Sequence, residues 1–201
     1  WPAINSHFGV MDMCGFPKNV YYYYKSWWSE EDVLHLAPHW NLKPDRGESV
    51  DVWVYSNADK VELFLNGKSL GKKVMPRYGH LNWEVKYREG VLKAVGYRNG
   101  RKFQSEIKTT GRPSKIVLSP HKYTLASGKQ DLVIVNVSVV DKDGLEVPDA
   151  DNLISFELTG DARIAGVGNG NPNSHESDFV EEGNSARRSL FNGKCQVIIR
   201  S

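Results

Sequence analysis

From Ser49 onward, apolar residues recur at every second position. Val50, Val52 and Val54 alternate with Asp51, Trp53 and Tyr55, and Val61, Leu63 and Leu65 alternate with Glu62, Phe64 and Asn66. A period of two marks an extended strand with one face buried, a pattern a helix cannot satisfy. Turn chemistry punctuates these runs. Asn66-Gly67 falls between apolar stretches at 61–65 and 68–70, and a two-residue type I′ turn needs positive φ at both central positions, which Asn and Gly adopt most readily. Arg88-Glu89-Gly90 joins strands predicted over 81–87 and 91–97, and Arg98-Asn99-Gly100-Arg101 turns the chain toward Phe103. Six or seven short strands in about 80 residues predict a β-sandwich.

Gly111 and Pro113 then interrupt both strand and helix, and a second β domain is expected beyond them. Strands are predicted at 115–119, 132–141, 154–158, 162–167, 187–191 and 196–199, with 132–141 apolar enough to be central. Ser201 directly follows a strand, so the expectation is a second sandwich cut short at its last strand, with an exposed edge. The predicted fold class is all-β: two immunoglobulin-like β-sandwiches, at residues 33–111 and 112–201, after a lead segment at 1–32.

That lead segment breaks the pattern. Pro17 occupies the place of a first-turn proline and no breaker follows before Trp28, which predicts a helix over residues 17–28. Val20, Tyr23, Tyr24 and Trp27 share one side of it by helical spacing, with Tyr21 and Trp28 on the other. Residues 1–28 hold nine of the chain's 22 aromatic residues (Phe, Trp and Tyr). So greasy a segment implies a partner that covers it.

The run Trp1-Pro-Ala-Ile-Asn-Ser-His-Phe-Gly-Val-Met-Asp-Met-Cys-Gly-Phe-Pro-Lys18, the aromatic helix, and His35-Leu-Ala-Pro-His-Trp-Asn41 resemble the end of the catalytic (β/α)8 barrel, and the exit from it, in glycoside hydrolase family 2 enzymes of the β-galactosidase type. The segment from Ser56 to Gly71 resembles the first sandwich after that barrel. Gly166-Val-Gly-Asn-Gly-Asn-Pro172 and Phe191-Asn-Gly193 resemble the second. The resemblance implies that residues 1–32 are the terminal loop and helix of the barrel, that the helix docks on the missing barrel of the same polypeptide, and that the intact enzyme hydrolyses O-glycosidic bonds of an oligo- or polysaccharide with retention. It also implies export to the periplasm or beyond.

Composition excludes other classes. A formal charge of +2 with interspersed signs gives no basic stripe for nucleic acid, and no apolar run approaches the roughly 18 residues of a membrane span. Lys68, Lys72 and Lys73 read as a solvated hairpin edge. Cys14 and Cys195 fall in different predicted domains and are expected to be free thiols.

Candidate chemistry is sparse. Retaining glycoside hydrolysis needs two carboxyl groups about 5 to 5.5 Å apart, and the resemblance puts both glutamates upstream of Trp1, so no catalytic residue is assigned. Glu30, Glu31 and Asp32 read as a charged helix exit. Trp1 is the candidate substrate-binding residue: an aromatic face stacks on a sugar ring, and the resemblance puts this loop at the barrel mouth, where site residues gather. A packing role, or disorder at the terminus, is the reading favoured over it. Ser6, His7 and Asp12 carry the same reading more weakly.

His35 and His39 have the spacing of zinc ligands on a helix, but Pro38 opposes helix there, and on a strand they stand roughly 13 Å apart. Gly166 to Asn171 lacks the third glycine of a phosphate loop, Asn171 standing in its place, and reads as a tight turn or bulge. Asp141, Asp143, Asp149 and Asp151 lack the frame of a calcium loop and read as surface turns. No Gly-x-Ser-x-Gly elbow picks out a nucleophile. No metal or cofactor is expected. The fragment is expected to be structural and inactive alone. The competing reading is a carbohydrate-binding or cell-surface interaction module that uses exposed Trp53, Trp83 and Tyr97.

Overall fold

The structure, a computed structural model, describes residues 3–42, 48–127, 130–180 and 183–201. It divides into two compact units, Pro17–Thr110 and a second made of Trp1–Phe16 with Gly111–Ser201. The predicted lead segment at 1–32 is therefore shared out: its helix belongs to the first sandwich and its opening loop to the second. Cys14 and Cys195 lie in one unit, not two, and both thiols are free.

The first unit begins with α1 (Asn19–Trp28), followed by β1 (Leu34–Ala37), β2 (Ser49–Ser56), β3 (Lys60–Leu65), β4 (Lys68–Val74), β5 (Leu81–Lys86), β6 (Val91–Arg98) and β7 (Arg101–Lys108). All pairings are antiparallel, in one sheet ordered β1-β2-β5 and another ordered β4-β3-β6-β7. The inner residues of the period-two runs, Val52, Val54, Val61, Leu63 and Leu92, retain no exposed surface. Each such side chain contributes about 1.5 to 3 kcal/mol through burial. Trp40 closes the core from the segment after β1: its indole N–H donates to the Arg88 carbonyl at 2.9 Å, while its own carbonyl accepts from the Tyr87 and Thr109 hydroxyls at 3.1 and 2.9 Å.

Helix α1 starts later than its proline suggests. Lys18 is the N-cap, so Pro17 stands one residue before the cap instead of inside the first turn. The face turned to the sandwich is also different. Tyr22 stacks on His35 at 3.8 Å, Tyr23 meets Tyr55 edge-on at 5.7 Å, Asn19 Oδ1 lies 2.9 Å from His35 Nε2, and Ser26 is buried. Trp27 also meets Tyr78 at 5.2 Å, so positions 19, 22, 23, 26 and 27 form the stripe. Tyr24 and Trp28 stack on one another at 5.1 Å on the outside, Trp28 with 81% of its surface exposed.

The second unit contains β8 (Lys115–Pro120), β9 (Leu132–Val140), β10 (Leu153–Glu157), β11 (Arg163–Gly168), β12 (Ser185–Ser189) and β13 (Lys194–Arg200). Its sheets are β11-β13-β9-β8 and the pair β10-β12, again antiparallel throughout. The predicted central run is β9, with Val133, Val135, Val137 and Val139 buried against Ile154, Ile164, Leu190 and Val197. A register shift between Ile164 and Gly166 supplies the bulge expected near the glycine-rich stretch. Both units are β-sandwiches of the immunoglobulin-like class, and α1 is the single α-helix among the described residues.

Two expectations follow. Asn66 and Gly67 have φ of 49° and 80°, and the Asn66 amide bridges to the next turn, accepting from Val91 N at 2.8 Å and donating to the Glu89 carbonyl at 2.9 Å. Asn66→Ala loses both bonds and leaves alanine, which tolerates the left-handed region less well than asparagine, at positive φ, so urea unfolding should show a loss of about 2 to 3 kcal/mol, part of it recovered by Asn66→Gly. Burial also pushes the His35 imidazole down to about 4. The unfolded chain binds that proton near pH 6.5, so the neutral ring's contribution is complete above about pH 6.5 and is lost as pH falls toward 4, by at most about 3 kcal/mol. The urea midpoint should fall more between pH 7 and 4.5 in the wild type than in His35→Phe, which keeps the ring stack on Tyr22.

Candidate functional site

Trp1 lies outside the described residues. The rest of the opening loop is held on the second sandwich by backbone and side-chain contacts. Ile4 N donates to the Pro172 carbonyl at 2.7 Å, and Gln196 Nε2 on β13 donates to the Cys14 carbonyl at 2.7 Å. Asp12 organises the loop from within: its Oδ1 accepts from Cys14 N and Phe16 N, both at 2.9 Å, and its own N–H donates to the Phe16 carbonyl at 3.0 Å. Lys194 places its ammonium 5.6 Å from the centre of the Phe16 ring.

The loop sits on the glycine-rich stretch, and this contact explains the glycines. A Cβ on Gly170 would overlap the Asp12 carboxylate, one on Gly168 would stand 3.3 Å from Cys14 Sγ, and one on Gly166 would meet the Asp178 carbonyl at 2.7 Å. Close backbone approach, not a phosphate cradle, requires these residues. Burial, helped by the charges of Asp12 and Asp178, pushes the Cys14 thiol up to about 12, and burial does the same for Cys195. Both are packing thiols rather than nucleophiles.

Arg188 on β12 is the polar centre beneath this loop. Its guanidinium is 1% exposed and donates to the Val167 and Ser177 carbonyls at 3.0 and 2.7 Å, and it pairs with Asp178 at 2.8 Å and Glu176 at 3.1 Å. No sequence signal pointed to it. A buried arginine beside Arg187 in a short polar strand reads as surface until its partners at 167 and 174–178 are brought to it.

The other candidates are dispersed. Ser6 accepts from Phe8 N at 3.2 Å; Ser6, His7 and Phe8 are exposed. His35 faces Asn19 and Tyr22, and His39 Nδ1 accepts from Asn41 N at 3.2 Å. No group of three or more metal-binding side chains occurs among the described residues. Asp141 spends its carboxylate on the Gly111, Asp143 and Leu145 amides at 2.8, 2.9 and 3.0 Å, and these bonds, the Gly111 amide first, hold its carboxyl below the usual range. Glu31 pairs with Lys25 at 2.7 Å and Asp32 with Arg101 at 3.1 Å, so the helix exit is an ion-paired linker.

Of the three aromatics expected to be exposed for glycan binding, only Trp53 is, stacked on His80 at 4.5 Å. Trp83 alternates to the inner face and is core. Tyr97 is half-buried between the ammonium groups of Lys72 and Lys102, at 4.3 and 5.4 Å from its ring.

Gly170→Ala is therefore expected to lift the opening loop without disturbing the sheet. Amide exchange at Asp12, Cys14 and Phe16 should rise by at least ten-fold, with the amides of β13 unchanged. Unaltered exchange at those three positions would show that the loop does not depend on the close approach.

Comparison with known proteins agrees with this architecture. Residues 116–201 match the family described as glycoside hydrolase family 2 C-terminal domain 5, and residues 47–104 match a domain of unknown function, DUF4982. The chain is 46% identical over 204 residues to the β-galactosidase BoGH2A of Bacteroides ovatus, an alignment covering 100% of this chain and 23% of that protein. It is 37% identical over 198 residues to a putative β-glucuronidase of Formosa agariphila, covering 96% of this chain and 19% of the relative. The crystal structure of a β-glycosidase from Bacteroides vulgatus superposes with a TM-score of 0.89 at 33% identity, over 100% of this chain and 26% of that one. With the likeness running through the opening loop, the helix and both sandwiches, the chain belongs to glycoside hydrolase family 2, as part of its C-terminal region.

Proposed function

We propose that this chain is the accessory C-terminal region of a retaining β-galactosidase, with the two catalytic carboxylates on a barrel elsewhere in the same polypeptide. The observation that carries this reading is the 46% identity, over the whole chain, to a β-galactosidase of which the chain spans 23%. The work of the 201 residues is structural. The second sandwich holds the opening loop through Asp12, Cys14 and Gln196. In the first, α1 offers the stacked pair Tyr24 and Trp28 to the barrel. An exposed indole stacked on a phenol suits burial in a domain interface better than contact with water. Trp1 remains the residue proposed to meet the sugar. Export to the periplasm or beyond, where polymeric substrate is met, completes the reading. The 37% identity to a putative β-glucuronidase supports a second choice of sugar, a β-glucuronide.

The full-length protein should hydrolyse a nitrophenyl β-galactoside with retained anomeric configuration, read by NMR of the first-formed sugar, whereas the isolated 201 residues should give no turnover. Trp28→Ala in the full-length protein should lower its stability by about 1.5 to 3 kcal/mol, a change absent when the same substitution is made in the isolated chain. A glucuronide preferred by more than ten-fold would reassign the sugar. Turnover that co-purifies with the isolated chain would overturn the accessory role.

A further inference from the structure

The structural role leaves Trp53 without a task. It stands on the outer face of β2 with 42% of its surface exposed. Two neighbours fix its orientation. His80 stacks on the indole at 4.5 Å with the planes 19° apart, and Tyr55, buried beneath α1, meets it edge-on at 6.4 Å. A ring already held in place loses little conformational freedom when something lies against it.

The pairing of β2 with β5 decides what surrounds it. Trp53 stands opposite Asn82, Asp51 opposite Glu84, and Ser49 opposite Lys86. Cross-strand partners share a face. All six residues are exposed, so they form one strip whose rows lie about 7 Å apart along the strands. Strand alternation explains why these positions face outward, but not their composition. Two carboxylates directly across from one another repel, and neither is paired with a cation among the described residues. The strip is thus one pinned aromatic ring beside a row of hydrogen-bond acceptors that lack donors.

We infer that this strip binds a neutral, galactose-bearing glycan, with a sugar ring on the Trp53 indole and sugar hydroxyls donating to the Asp51 and Glu84 carboxylates. The indole selects the ring. Because its C4 hydroxyl is axial, galactopyranose presents one face made of C–H groups alone, and such a face packs on a flat aromatic surface. The carboxylates and the Asn82 amide select the hydroxyls, which supply donors without bringing a charge. The same carboxylates repel a uronic acid or a sulfate. A protein partner fits the strip less well, since the buried centre of a protein interface is depleted of Asp, Glu and Lys. Membership in a glycoside hydrolase family makes glycan the polymer at hand. The inference rests on that membership and on the strip, not on which sugar the intact protein cleaves.

The test is native electrophoresis of the full-length protein through gels that hold either a neutral β-galactan or polygalacturonate. The galactan should retard the wild type. Trp53→Ala should weaken that retardation about ten-fold, the scale of one aromatic contact, and Trp53→Phe should keep most of it. Polygalacturonate should retard none of them. Asp51→Ala combined with Glu84→Ala relieves the like-charge contact, so this variant should keep the wild-type urea midpoint or exceed it and still bind the galactan more weakly. Where Trp53→Ala lowers the midpoint, the double variant decides. Equal or absent retardation of the wild type and both variants would overturn the inference, as would retardation by polygalacturonate that depends on Trp53. Binding of oligolysine that Trp53→Ala abolishes, with galactan retardation unchanged, would assign the strip to a cationic peptide and overturn it too. Turnover is not read, so the β-galactosidase assignment can fail without affecting this result.

Discussion

Val52, Val54, Leu63 and Leu92 meet across the first sandwich with no surface left to water, and that mutual coverage of two inner faces is the condition the rest of the unit satisfies. Strand alternation puts the aliphatic side chains there, but the sheets must also be held at their ends, where strands splay and water enters. Trp40 does this at one end. It fills the core with a large ring while its N–H and carbonyl bind Arg88, Tyr87 and Thr109 at the closing turn and strand end. Asn57 does it at another, accepting from Val33 N and donating to the Glu31 carbonyl, so the chain leaves α1 and enters β1 along one path. Burial supplies the free energy, and the polar groups at the rim determine which strands share it.

The second sandwich meets the same condition differently. Part of its interior is occupied by Arg188, whose charge is balanced by Asp178 and Glu176, both half-exposed, and whose Nη2 also donates to the Val167 and Ser177 carbonyls, while its buried Nε has no partner among the described residues. A buried ion pair is a weak source of net stability, because desolvation offsets much of the attraction. It is an effective constraint on geometry. The arrangement of the 174–178 stretch that pairs with the guanidinium also brings the Asp178 carbonyl against Gly166, beside the glycines on which Asp12 and Cys14 rest. The opening loop is positioned by a charge that the sequence hides inside a strand.

What the sequence made legible follows the range of the interaction. Strands β2 to β7 and β9 were readable because alternation and turn chemistry are local: Asn66 and Gly67 adopt positive φ for reasons contained in those two residues. The helix was readable in existence but not in face, because the choice between a stripe through Tyr24 and one through Tyr22 depends on His35 and Tyr55 beneath it. From the sequence, Trp83 and Tyr97 read as surface aromatics. Both sit on correctly predicted strands, but neither the inward phase of Trp83 nor the flanking of Tyr97 by Lys72 and Lys102 could be read without the pairing register. The glycines at 166, 168 and 170 announced a close approach without saying to what. Gly168 and Gly170 have their partners at positions 14 and 12, more than 150 residues away in sequence, and Gly166 has its own at Asp178.

The apolar surface left uncovered is of two kinds, and the difference bears on how the protein was assembled. Trp28 and Tyr24 are side chains on a helix whose C-terminal end is closed by the Ser29 N–H on the Lys25 carbonyl. Such a surface can be covered by any apolar partner of matching shape, since it demands contact but not pairing. Ile116 and Leu118 are inner-face residues of the edge strand β8, over which no strand lies among the described residues. The first kind belongs between domains that fold separately and then meet. The second belongs within a fold, where strand alternation sets aliphatic side chains on the inner face of an edge strand.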